Sequence, residues 1–140
     1  MSGLRRQARE MALQMLYMLD IVGEEDLRAQ LHLFWENYGK LAGSRPFAME
    51  LTQGVRQHLE EIDQAISRSS HNWKLNRMSY VDRNLLRLAV YELLYRPDIP
   101  PKVSINEAIE ISKRFGDRDS GAFINGILDQ VFRRLKQAAS

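Results

Sequence analysis

Three arginines near the start of the chain have the residue type and the spacing to bind an anionic partner. Arg5, Arg6 and Arg9 lead into an apolar helical pattern, and at about 100° per residue they fall within one 100° arc of a helix. Cations oppose the dipole at a helix N-terminus and cost about 0.3 to 1 kcal/mol each there, so local stability does not explain them. Because the planar guanidinium suits phosphates, we predict a positive edge that meets an external anion.

The residues alone admit three interpretations of this amphipathic start: packing, binding to a membrane surface, or binding to nucleic acid. A membrane surface usually selects more lysine and an exposed apolar face, whereas Ala8 and Leu16 suit packing against other helices. Tyr17, Phe115 and Phe123 would supply rings on which unpaired bases stack. An aromatic residue at helical spacing more often belongs to a core, however.

Groupings of residues that would indicate an enzyme are weak. His32, His58 and His71 have no acid or second histidine at ligand spacing, which favours surface or core positions over metal ligation. Asp117 and Asp119 lack the other oxygen ligands of a calcium loop, and they predict a cap for a last helix that begins near residue 119. We therefore expect no catalytic residue, no metal and no cofactor.

Composition fits one domain that spans residues 1–140, because 140 residues with 44% hydrophobic content can bury a sizeable core. The absence of cysteine excludes a disulfide and a thiolate site, and it suits a reducing cytoplasm. The longest uncharged run near the start, residues 11–19, is too short to span a membrane. Acids outnumber bases over 10–63 and bases outnumber acids from 73 onward, which indicates either a polarised surface or ordinary solvated helix faces.

Hydrophobic spacing is helical almost throughout, so the sequence predicts an all-α fold, with only residues 102–105 compatible with a short strand. The pattern predicts a first helix over about 4–20 and a second that follows Gly23. Pro46 is well placed at the first position of a third helix. That helix carries one continuous apolar stripe as far as Ile66.

Capping signals predict where two later helices begin and where one ends. Ser79, with Asp82 three residues later, resembles a capping box for a helix that is apolar on more than one face and therefore central. Ser104 with Glu107 resembles a second capping box. Gly116 then marks the end of that helix.

Three segments of the chain resemble the NusB family of bacterial transcription antitermination factors. They are RRQAREMALQMLY at 5–17, SYVDRNLLRLAVYELLY at 79–95, and IPPKVSINEAIEISKRFGDRDSGAFINGILD at 99–129. The last is highly specific, since the proline bend, the INEAIE run, the FG stop and the FINGILD run occur together in the family's order. Residues 23–72 carry little of the resemblance beyond their helical pattern.

The resemblance implies an all-α domain of about six to seven helices, arranged as two packed bundles. It implies binding to boxA, a short single-stranded RNA in leader transcripts, together with NusE, a ribosomal small-subunit protein. The pair would join RNA polymerase and other Nus factors in the cytoplasm and promote processive transcription of ribosomal RNA operons. Relatives act as monomers, homodimers or partners of NusE, so the oligomeric state of this chain stays open.

The resemblance also assigns expected roles to residues by matching position. Phosphates would be held by the arginine-rich segment, and the RNA would also meet two rings that stack on bases and a carboxylate that accepts from a base amine. The RNA-binding residues expected in this way are Arg5, Arg6, Arg9, Phe115, Asp119 and Phe123. The residues expected to face NusE are Tyr17 and Asp82.

Two positions depart from the family pattern, because Gln7 and Ala122 stand where relatives often carry a base. Each departure removes a phosphate contact, so we expect weaker RNA binding by the isolated protein and more dependence on NusE. One alternative is a helical protein scaffold without intrinsic RNA specificity, whose arginines contact an acidic partner. A second is the helical domain that precedes the catalytic part of some RNA cytosine methyltransferases. A chain of 140 residues has no room for a cofactor-binding domain, so we expect no enzyme activity.

Overall fold

The computed structural model describes residues 3–22, 27–37 and 43–139. Within these ranges the chain is helical and contains no strand, which confirms the predicted all-α class. The elements are α1 (Gly3–Val22), α2 (Leu27–Asn37), α3 (Arg45–Gln57), α4 (Leu59–Ser69), a 3₁₀ turn (Leu75–Arg77), α5 (Tyr80–Tyr95), α6 (Pro101–Phe115) and α7 (Ser120–Ala139). The start predicted for the second helix, after Gly23, lies outside the described residues. No helix of the described part is long and apolar enough to cross a membrane.

Helix α5 lies at the centre of the fold, as its apolar residues predict. It packs against α1, α3, α4, α6 and α7. Buried side chains therefore point from it in several directions: Leu85, Leu86, Leu88, Ala89 and Val90. A helix surrounded in this way needs apolar residues on more than one face.

Two apolar clusters hold the helices together, and both include residues of α1 and α3. The smaller cluster joins α1, α2 and α3 through Met11, Met15 and Phe34, with Ala8 and Ala48 beside them. The larger joins α4 to α7, and α1 and α3 contribute to it as well. Because α1 is buried in both clusters, its position and orientation are set by nearly the whole fold.

The third helix predicted to run as far as Ile66 is two helices, so that prediction is wrong. At His58 the backbone leaves the helical region, with φ −112° and ψ 24°. The apolar stripe nevertheless continues on both sides of the break, since Val55 and Ile62 are both buried. The bend lets α3 and α4 each pack on α5, and a Cβ on Gly54 would lie 2.2 Å from the ring of Tyr91. The break at His58 therefore occurs where α3 packs very closely on α5, and hydrophobic periodicity does not predict such close packing.

The capping predictions have mixed outcomes. Ser79 caps α5, because its Oγ accepts from the backbone N–H of Asp82 at 3.1 Å, and α6 ends at Gly116 as predicted. Ser104 does not begin a helix, since α6 starts three residues earlier at Pro101, where proline is favoured. That start also excludes the short strand considered for 102–105. Ser104 and its supposed partner Glu107 instead contact distant residues.

Candidate nucleic-acid interface

Arg9 is buried, with only 4% of its surface exposed. Its Nε and Nη2 each donate to the carboxylate of Glu92 at 2.8 Å, and its Nη1 donates to Glu107 at 3.3 Å. Glu92 is itself buried and also accepts from Ser104 Oγ at 2.7 Å. The expectation that Arg9 lies on the surface beside Arg5 and Arg6 is therefore wrong, because its guanidinium is used to hold α1 against α5 and α6.

Arg6 is half-exposed and forms a two-bond pair with Glu107 of α6. Its Nε and Nη2 donate to the two carboxylate oxygens at 2.9 and 2.6 Å. These hydrogen bonds hold the pKa of Glu107 below its ordinary value and raise the pKa of Arg6. One edge of Arg6 is thus occupied while 31% of its side chain still faces solvent.

Arg5 is exposed and has no carboxylate within ion-pairing distance in the part of the chain that the structure describes. Its guanidinium lies over the ring of Phe47, 5.1 Å from the centroid. The guanidiniums of Arg9 and Arg96 approach the same ring at 5.5 and 5.3 Å. Cations over a ring face are attracted to it without losing their charge, so Arg5 is held in place and still available to an anion. The sequence reasoning missed Phe47, and no local pattern indicates it.

Contacts between α1 and α6 connect the basic end of α1 to Phe115. Arg6 pairs with Glu107, and Glu10 pairs with Arg114 at 2.9 Å, so the contacts advance along both helices together. Arg114 also lies over the ring of Phe115, 5.1 Å from its centroid. Phe115 therefore lies about two helical turns along α6 from Glu107, the residue that pairs with Arg6.

The turn between α6 and α7 is organised by Asp117. Its Oδ1 accepts from the backbone N–H of Asp119 at 2.9 Å and from Ser120 Oγ at 3.3 Å. A Cβ on Gly116 would lie 2.5 Å from Ser120 Oγ, which explains glycine there. Of the two aspartates predicted as a cap, only Asp117 bonds to this turn through its side chain, and its backbone N–H partner, that of Asp119, precedes the first residue of α7. Asp119 is exposed, and its carboxylate makes no hydrogen bond within the described ranges.

Phe123 lies one turn further along α7 and is half-buried at the edge of the larger core cluster. Its ring meets the indole of Trp73 edge to face, with centroids 6.0 Å apart and an angle of 82°. Trp73 is 53% exposed. The sequence reasoning missed Trp73, although a tryptophan directly after a polar break in an apolar pattern is a signal that could have found it.

The two residues expected to face a protein partner differ in exposure. Tyr17 is 39% exposed and packs edge to face on Tyr80, which is 41% exposed. Asp82 is only 9% exposed, so it does not present a surface carboxylate. Burial is the main reason that its pKa is raised, the nearby charge of Asp117 adds to the effect, and hydrogen bonds with Ser120 and Ser79 oppose it. The structure thus places Asp82 against the start of α7.

A groove of about 640 Å³ adjoins Tyr17 and Phe115. Helix α1 supplies one wall, and α2, α5 and the end of α6 supply the rest. Its lining is mainly apolar: Leu13, Gln14, Tyr17, Met18, Leu33, Phe34, Asn37, Val81 and Phe115. Because Phe115 and Tyr17 line the same groove, the surface expected for RNA and the surface expected for a protein partner meet there.

The two departures from the family pattern also have defined positions. Gln7 Oε1 accepts a hydrogen bond from Ser44 Oγ at 2.9 Å and so ties α1 to the start of α3. A lysine or arginine could not accept that bond. Ala122 is exposed beside Phe123. Within the described residues no group of histidines and carboxylates is placed to hold a metal ion.

The chain is thus an all-α protein whose surface presents cations and aromatic rings side by side. That combination suits single-stranded nucleic acid. The NusB family model matches residues 6–133 of the chain. A transcription antitermination protein NusB of Desulfitobacterium hafniense (strain DSM 10664 / DCB-2) is 54% identical over 134 residues, which are 95% of this chain and 90% of that protein. The chain therefore belongs to the NusB family.

Solved structures of similar sequence have the same architecture. A structure of T. maritima NusB has a TM-score of 0.80 and 41% identity, and the match covers 92% of this chain and 90% of that one. A crystal structure of the antitermination factors NusB and NusE in complex with dsRNA has a TM-score of 0.84 and 29% identity, and covers 96% and 99%. The fold that the sequence resemblance implied is confirmed.

Proposed function

We propose that this protein is a cytoplasmic transcription antitermination factor that binds single-stranded boxA RNA of leader transcripts together with NusE. In this role it joins RNA polymerase and other Nus factors and promotes processive transcription of ribosomal RNA operons. The family membership and the NusB–NusE structure with RNA support the proposal. The single observation that carries it is Arg5, an exposed cation that lies over the ring of Phe47 and has no carboxylate within ion-pairing distance in the described part of the chain.

In this function some residues bind the RNA, one positions them, and others face NusE. Arg5 and the free edge of Arg6 hold phosphates, while Phe115 and Phe123 stack on bases and Asp119 accepts from a base amine. Arg9 is a positioning residue, because its buried pair with Glu92 fixes the start of α1. Holding the phosphate-binding groups in advance lowers the ordering cost of binding. Tyr17 and the groove beside it face NusE, and the protein acts by binding, without catalysis.

The proposal is tested by titrating a fluorescent boxA RNA and a scrambled RNA of equal length at two salt concentrations, with and without NusE. We expect preference for boxA that sharpens with NusE, because Gln7 and Ala122 lack the charges that would strengthen binding alone. Arg133→Ala is the control for Arg5→Ala, since Arg133 is also an exposed arginine but pairs with Asp129 of its own helix at 3.1 Å. If binding to both RNAs is equal and negligible while NusE still binds, the RNA-binding proposal is wrong and the protein acts as a scaffold for protein partners.

A further inference from the structure

The connection between α4 and α5 holds Trp73 in a defined position. The backbone N–H of Trp73 donates to Ser70 O at 3.0 Å, and the 3₁₀ turn that follows is closed by Arg77 N–H to Lys74 O at 2.9 Å. Leu75 anchors the turn by packing on the larger core cluster, and its carbonyl accepts from Arg83 Nη1 at 3.0 Å. The exposed indole of Trp73 therefore lies on a segment that backbone hydrogen bonds and core packing hold in place.

The contact between Trp73 and Phe123 extends the aromatic surface of α7. Single exposed apolar residues are common and carry no argument by themselves. Here, however, the indole meets the ring that the proposed function already assigns to base stacking, at a centroid distance of 6.0 Å. Proteins that bind single-stranded nucleic acid use such adjacent rings for successive bases. Trp73 therefore lies where the nucleotide next to the one at Phe123 would arrive.

A cavity of about 500 Å³ opens beside Trp73, within the size range of small-ligand sites. Lys74 and Arg77 line it, both are exposed, and neither has a carboxylate within ion-pairing distance in the described ranges. The cavity wall therefore carries two cations that no carboxylate of the described ranges neutralises.

We propose that Trp73 is a further base-stacking residue, and that the cavity beside it receives one nucleotide of the single-stranded RNA. The indole stacks on the base that follows the one at Phe123, while Lys74 and Arg77 hold the adjacent phosphate. Stacking on a ring face tolerates any base, so this subsite adds affinity more than sequence preference. The inference rests on the proposed function, because it adds a nucleotide position to the same RNA path.

The test uses the full chain with NusE and boxA RNA. In a Trp35→Phe background Trp73 is the remaining tryptophan, so its emission reports directly on stacking. We expect RNA to quench that emission, Trp73→Ala to weaken binding about ten-fold and Trp73→Phe to retain most of the affinity. Lys74→Ala should reduce the salt slope by about 0.7, the contribution of one phosphate on a single strand. Leu59→Ala, which removes an exposed apolar residue at the other end of α4, is the control and should bind as wild type does.

The outcomes separate this inference from the proposed function. If Arg5→Ala weakens binding while Trp73→Ala binds like wild type and Trp73 emission does not change, the subsite is wrong and the RNA-binding function stands. If wild type does not distinguish boxA from the scrambled RNA, the function and the subsite both fail. Quenching together with a loss of affinity in Trp73→Ala, and with Leu59→Ala unaffected, supports the subsite.

Discussion

The basic end of α1 and the aromatic edge around the α6–α7 turn differ in how they use their polar groups. The first pairs most of its charges within the protein, whereas the second leaves polar groups exposed. At the end of α1, Arg9 and much of Arg6 are paired inside the molecule with Glu92 and Glu107. At the edge of α7 the fold leaves groups unused, among them the exposed carboxylate of Asp119. Residue type alone therefore does not assign a role. An arginine that is paired with two carboxylates of the protein is structural, whereas an exposed arginine without such a pair can bind an external anion.

The largest effect that would sharpen this comparison is expected at Arg9. Arg9→Ala leaves the buried carboxylate of Glu92 without its cationic partner, so we expect the free energy of unfolding in urea to fall by about 3 to 5 kcal/mol. The double variant Arg9→Met with Glu92→Leu removes both charges and should recover most of that loss. A single variant within about 1 kcal/mol of wild type would show that Arg9 is not a structural residue.

At the other region Phe123→Ala should weaken RNA binding about ten-fold in the presence of NusE, because one base loses its stacking surface. Phe132 is the matched control, since it is a half-buried ring on the same helix that packs at the edge of the same cluster. Phe132→Ala should lower the thermal midpoint and leave RNA affinity unchanged. Equal losses of affinity in both variants would mean that Phe123 acts only through stability.

Arg5→Ala should separate binding from stability within the basic end itself. We expect the slope of log affinity against log salt to become shallower by about 0.7, as one phosphate contact is lost. The free energy of unfolding should change by less than about 0.5 kcal/mol, the usual range for a surface substitution. Titration at several salt concentrations and urea denaturation measure the two quantities, and an unchanged slope would remove Arg5 from the interface.

The smallest expected effect is the pH dependence of the Arg6–Glu107 pair. The pKa of Glu107 is lowered in the folded protein from an ordinary value of 4.5. Its contribution to stability is therefore complete above about pH 4.5 and is lost as the pH falls through the lowered value. Glu107→Gln should cost at most about 1 kcal/mol at neutral pH, and its difference from wild type should shrink on acidification. A constant difference across acid titration of the unfolding free energy would contradict this.

Much of the helical architecture was predictable from the sequence because each helix buries a periodic apolar face. The central position of α5 followed from its apolar residues, and its start followed from the local cap at Ser79. The break at His58 was not predictable in the same way, because the apolar stripe runs through it without interruption. For the candidate interface, the family motif indicated Phe115, Asp119 and Phe123, whose roles stay predictions. Trp73 belongs to no motif, and its only signal is its place directly after a polar break.

Residues that are neighbours along the chain were sufficient to predict the all-α class, the start of α5 after Ser79, the termination of α6 at Gly116 and the family. The role of each charged group depends instead on how the helices pack. Glu92 and Glu107 lie 83 and 101 residues from the arginines they bind, so no local pattern could pair them. Helix packing brought those carboxylates to Arg9 and Arg6 and left Arg5 exposed over the ring of Phe47, since the energy of a charge depends on which partner lies within a few ångströms of it.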